Sequence, residues 1–178
     1  MIKKIFIVLV GVVAALVVVV ALQPADFRIS RSASFAAPPA AVFEHVNDLQ
    51  KWQAWSPWAK LDPAAKNNFQ GPPAGTGAAF SWAGNMEVGE GTMTITESRP
   101  SELVRFKLEF KKPFEATHTS EFTFQPEGGG TLVTWSMWGR NNFMGKAVGL
   151  VMNCDTMVGG QFEQGLADLK KIVESAPK

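Results

Sequence analysis

The chain contains no tyrosine, one cysteine and two histidines among its 178 residues. A single thiol, Cys154, excludes an internal disulfide framework and any multi-cysteine metal site. It lies in a methionine-rich stretch between Met152 and Met157 with no basic neighbour, a setting expected of a small buried hydrophobe. Two histidines, His45 and His118, are too few for a histidine-rich metal centre. The missing phenol removes one common acid and hydrogen-bond donor. Net charge is scarce too: 17 Lys and Arg face 16 Asp and Glu, leaving +1. Such a balance generates no field able to gather nucleic acid. HExxH, GxSxG and paired-cysteine motifs are absent. Gly75-Thr76-Gly77 lacks the spacing and the following helix of a dinucleotide fingerprint, so no cofactor is implied.

What the chain has in excess is apolar surface. Residues 5–22, IFIVLVGVVAALVVVVAL, form an unbroken apolar run, near the lower end of the roughly 17–25 residues that cross a hydrocarbon core of about 30 Å as a helix. The run is followed by Gln23-Pro24-Ala25-Asp26, which offers no small-x-small cleavage site, so an uncleaved anchor is favoured over a signal peptide. Lys3 and Lys4 precede it, and the positive-inside rule keeps them cytoplasmic. The remainder then lies across the membrane, in the periplasm if the cell is Gram-negative. A reporter that works only in the cytoplasm, fused after Lys178, is expected to be inactive. Arg28 and Arg31 on the far side act against this orientation. The division expected is residues 1–25 as anchor and short linker, and 26–178 as one folded domain.

From Asp26 the pattern alternates, as an antiparallel sheet requires. Phe27, Ile29, Ala33 and Phe35 share one face of a first strand, interrupted by Arg31. After Pro38-Pro39 a short helix carries Val42, His45, Val46 and Leu49. In WQAWSPW the tryptophans 52, 55 and 58 are three apart and share one face of a helical turn. KNNFQGPPAGTG reads as a surface loop. Further strands follow over Ala78–Trp82, Met93–Ile95, Val104–Phe110, Phe114–Phe124 and Val133–Met137, with Gly128-Gly129-Gly130 as the last turn. The final third turns helical: Phe162, Leu166, Leu169 and Val173 define a long helix beginning near Phe143, which Gly159-Gly160 bends or interrupts.

The segments PPAAVFEHVNDLQKWQAWSPW, GPPAGTGAAFSWAGN, GTMTITESRP, TLVTWSMWG and FEQGLADLKKIVE together resemble the START-like superfamily, in its polyketide cyclase/dehydrase and lipid-transport branch (SRPBCC proteins). The resemblance implies an α+β helix-grip fold, a curved antiparallel sheet wrapped around a long C-terminal helix, here preceded by one transmembrane helix. It also implies an apolar cavity between helix and sheet, and a hydrophobic small molecule or lipid as ligand. The side chains expected to line it are Trp55, Trp58, Phe80, Trp82, Phe106, Phe110, Phe122, Trp135, Met137, Met152 and Phe162, with His118 and Ser120 turned inward by strand parity. Taken singly, each is expected to be a core residue; as a group they match the walls of an apolar site. Three functional classes stay open: a membrane-anchored binding domain, a cyclase- or hydrolase-type enzyme using His118, and an interaction or stress protein with a vestigial pocket. The fold alone does not choose among them.

Overall fold

Residues 2–175 are described by a computed structural model. The alternating segments become seven antiparallel strands: β1 Asp26–Phe35, β2 Lys66–Gln70, β3 Ala79–Ala83, β4 Glu90–Arg99, β5 Leu103–Lys112, β6 Ala116–Glu127 and β7 Gly130–Arg140. They form one sheet in the order β1-β7-β6-β5-β4-β3-β2. Five helices accompany it: α1 Ile2–Leu22, α2 Pro39–Asn47, α3 Pro57–Leu61, α4 Phe143–Val151 and α5 Cys154–Ser175. A 3₁₀ turn, Lys51–Ala54, precedes α3. The sheet curves about α5 in the helix-grip arrangement. Two register irregularities on β4, at Glu90/Gly91 and at Ile95/Glu97, bend it where it must close over the helix.

Strand register lays the inward side chains in rows. Phe69, Phe80, Met93, Leu108, His118, Gly139 and Phe27 are successive cross-strand partners, one row spanning the whole sheet. The next row runs Ile95, Phe106, Ser120, Met137 and Ile29, and a third runs Val104, Phe122, Trp135 and Arg31. Onto these rows α5 presses Phe162, Leu166, Leu169 and Val173, all buried, as their spacing requires. Trp135 stacks on Phe162 with ring centroids 4.1 Å apart.

Arg31 interrupts the apolar face of β1 for a reason. Its Nε donates to Glu163 Oε1 at 2.6 Å and its Nη2 to Asp155 Oδ2 at 3.0 Å, tying β1 to the start of α5. Gly159 makes room for it, since a Cβ there would lie 2.1 Å from Nη2. The glycine pair therefore continues α5 instead of bending it. The interruption comes earlier, at Met152-Asn153, where Asn153 Oδ1 accepts from the Thr156 amide at 3.0 Å and caps a new helix.

Two other segments depart from the sequence reading. Lys66–Gln70 is not loop but the edge strand β2, exposed on both faces, so it carries no burial alternation to read. Cys154 is exposed at the head of α5, not a buried hydrophobe. In α1 the helix is long and apolar enough to cross a membrane, a property it shares with signal sequences. Val20 is its one buried residue.

Candidate functional site

The 3₁₀ turn and α3 hold the tryptophan triplet over the sheet. Trp52 and Trp55 lie 4.5 Å apart, and their indoles donate to the carbonyls of Val46, at 2.8 Å, and His45, at 3.3 Å. All three tryptophans of the triplet meet the ring of Trp135 edge-on at 5.8–5.9 Å. This cluster stands the chain off from the sheet. Beside it lies a cavity of about 230 Å³, open to solvent and bounded by the 3₁₀ turn, α3, α5 and strands β2 to β7.

The expected side chains divide between this cavity and the core. Trp58, Phe80, Trp82, Phe110, Ser120, Trp135, Met137 and Phe162 line it. Trp55, Phe106 and Phe122 are fully buried one layer deeper, where they form the floor on which the lining aromatics rest. Met152 falls at the break between α4 and α5, 42% exposed, and does not reach the cavity. His118 shares the inward face but sits beside the cavity, boxed by Phe27 at 4.8 Å and Phe110 at 5.6 Å. Both of its ring nitrogens are buried without a hydrogen-bond partner among the described residues, because its cross-strand neighbours Gly139 and Leu108 have no polar side chain. Burial holds its pKa below the ordinary histidine value, so the ring is neutral.

Ser120 is not activated by that histidine. Its Oγ accepts from Trp135 Nε1 at 2.9 Å and donates to the Ser136 carbonyl at 3.2 Å, which commits its one proton. The geometry holds no nucleophile-base pair here. Nor, among the described residues, does any group of three or more His, Cys, Asp or Glu side chains stand where it could hold a metal ion.

Other wall residues escaped the sequence reading. Met93 and Leu108 were available from strand parity, and Trp52 from its place in the triplet. Ser56, Ala59 and Asp62 come within a turn of Trp55 or Trp58, yet only the packing of α3 aims them inward. Ser56 occupies the N-cap position of α3 without making a side-chain cap bond, and its buried side chain faces the cavity. Gln53, Asn67 and Asp62 supply polar groups to the walls. Asn67 donates to Gln53 at 3.2 Å, and Asp62 Oδ2 accepts from the Asn85 amide at 2.7 Å, pinning the β3–β4 loop that brings in Val88. On the sheet side Trp82 can lie across Gly91 because a Cβ there would fall 2.5 Å from its ring, and its Nε1 donates to the Val88 carbonyl at 3.0 Å.

Sheet, gripping helix and aromatic cavity define a helix-grip domain of the ligand-binding SRPBCC type. The chain belongs to the polyketide cyclase / dehydrase and lipid transport family, whose profile matches residues 26–174. No curated protein sequence matches it. Among solved structures it is similar to protein CV1439 from Chromobacterium violaceum, with a TM-score of 0.60 and 16% identity over 86% of this chain and 100% of that one. Protein MLL2253 from Mesorhizobium loti is comparable, with a TM-score of 0.62 and 12% identity over 85% and 100% of the two chains. The Aha1 dimer from Colwellia psychrerythraea gives a TM-score of 0.59 and 15% identity, over 85% and 99%. At such identities the likeness is one of fold.

Proposed function

We propose that the chain is a membrane-anchored binding domain for a hydrophobic small molecule or lipid, held in the cavity between sheet and α5. Residues 1–25 act as anchor and linker and 26–178 as the binding domain, on the extracytoplasmic side. The observation that carries this reading is the composition of the cavity wall: aromatic rings, methionines and aliphatic side chains over most of it, with Gln53, Ser56, Asp62, Asn67 and Ser120 as the few polar groups. A wall of that kind suits an apolar body bearing one polar end. At about 230 Å³ the cavity is smaller than the ~300 Å³ lower bound of drug-sized sites, which favours a compact molecule or part of a single acyl chain. Burying roughly 200 Å² of apolar ligand surface contributes about 5 kcal/mol before ordering costs.

At the cavity Ser120 has no base beside it, which ranks the enzymatic reading below binding. Four tryptophans, Trp52, Trp58, Trp82 and Trp135, line the cavity and provide the test. Titrating the full chain with an apolar quencher is expected to reduce tryptophan emission saturably, and Ala59→Trp, which fills the cavity from α3, to weaken the effect at least about tenfold, a loss of about 1.4 kcal/mol. Non-saturable quenching, equal in the two proteins, counts against the reading.

A further inference from the structure

Antiparallel register places the start of β1, β2, β4 and β6 and the finish of β3, β5 and β7 at one end of the sheet, through the pairs Asp26↔Arg140, Lys66↔Ala83, Ala83↔Glu90 and Glu90↔Lys112. From this end α1 departs, only three residues before β1 begins. Outside α1, the large apolar side chains left exposed among the described residues lie at this end, on α4, at its joint to α5 or, for Met157, in the first turn of α5, apart from Leu61 and Phe69. Met86 tips the β3–β4 loop and Phe114 the β5–β6 connection; Phe143 and Leu150 belong to α4; Val151 and Met152 form the joint. Met86 is 86% and Val151 83% exposed. Isolated apolar side chains on a surface need no explanation, but several gathered on neighbouring loops at one pole mark a contact surface.

What covers that surface follows from where α4 sits. The helix packs against α1, and Lys146, its only charged residue, donates to the Ala21 carbonyl at 3.0 Å. In the adjacent position Val20 is buried, although it belongs to the apolar run. At ~1.5 Å per residue the run of residues 5–22 reaches only about 27 Å, against a hydrocarbon core of about 30 Å. A run that short cannot withdraw its last turn from the bilayer without wetting apolar surface. Val20 and Ala21 are therefore at the boundary, and α4, lying against them, is at the same depth. α4 has no buried residue of its own and an almost wholly apolar sequence, FMGKAVGLV, with a lysine whose stem lets its ammonium reach a polar partner.

We infer that the pole of the domain from which α1 emerges rests on the bilayer, with α4 and its joint to α5 lying in the interface and the Met86 and Phe114 tips touching it. The inference rests on the anchor reading and extends it: α1 tethers the domain, and this surface fixes its orientation. The cavity wall contributed by Val88 and Phe110 then stands at the membrane-facing pole.

The single cysteine provides the measurement, because Cys154 is exposed beside the joint. The full chain is reconstituted in phosphatidylcholine–phosphatidylglycerol vesicles, labelled at Cys154 with an environment-sensitive fluorophore, and exposed to lipid-borne and aqueous quenchers. A Cys154→Ser/Glu102→Cys protein reports the opposite pole in the same way. The expected result is blue-shifted emission from Cys154, most of it lost to the lipid-borne quencher, with the Glu102→Cys label reached only from water. Val151→Asp with Met152→Asp is expected to abolish the lipid quenching without releasing the chain at alkaline pH. Retention at alkaline pH with Cys154 quenched only from water overturns the docking and leaves the anchor standing. A Cys154 label shielded from both quenchers means the surface is covered by protein, a second copy included, and also overturns it. Release of the unaltered chain at alkaline pH removes the anchor reading and this inference together.

Discussion

His118 carries a cost that its neighbours do not relieve. Two buried nitrogens without partners oppose folding by withholding hydrogen bonds the unfolded chain makes with water. Because burial lowers its folded-state pKa, the unfolded chain binds the proton first. Its share of stability is therefore complete above the ordinary histidine value of about 6.5 and is lost as the pH falls from there toward the folded-state value. His45, also lowered by burial, adds to the same slope. Replacing His118 with Phe, which keeps an aromatic ring against Phe27 and Phe110, is expected to raise stability by about 1 kcal/mol at neutral pH. It also reduces the loss of stability as the pH falls below about 6.5 in urea denaturation; an unchanged acid slope contradicts this account. The inward direction of His118 and Ser120 was readable from alternation alone. Their partners were not, because whether a hydrogen bond forms depends on which side chains the neighbouring strands bring alongside: Trp135 on β7 for the serine and, among the described residues, none for the histidine.

At the scale of elements, the glycine pair in α5 separates intrinsic propensity from packing. Helix propensity alone predicts that alanine stabilises either position by about 1 kcal/mol. Nothing lies within 4 Å of a Cβ at Gly160, so Gly160→Ala is expected to gain that amount. At Gly159 the methyl would meet the guanidinium of Arg31, so Gly159→Ala is expected to destabilise, as thermal melts of the two variants will tell. A rise in both melting temperatures contradicts the tie between β1 and α5. The strands, α2 and the buried face of α5 were legible because period 2 and period 3.6 write themselves into burial. The break at Asn153 and the strand β2 were not. A cap acts through one side chain, and an edge strand wet on both faces leaves no pattern.

Over the whole molecule, the helix-grip fold could be read from a likeness spread across the domain, but the cavity could not be separated from a solid core. Inward aromatics look the same in sequence whether they meet one another or stop short. What separates Trp58, Trp82 and Phe162 from Trp55, Phe106 and Phe122 is the standoff imposed by the short α3 and by the pinned β3–β4 loop. The small, polar or mouth-forming residues Ser56, Ala59, Asp62 and Val88 become wall residues only once those elements are placed. The central claim, that this space receives an apolar ligand, is tested most directly by the tryptophan titration of the full chain held in bilayer nanodiscs. The account predicts saturable quenching at one ligand per chain, weakened at least about tenfold by Ala59→Trp. Quenching that rises linearly with added ligand and is identical in the Ala59→Trp protein would mean that the ligand partitions into the bilayer and the cavity takes none.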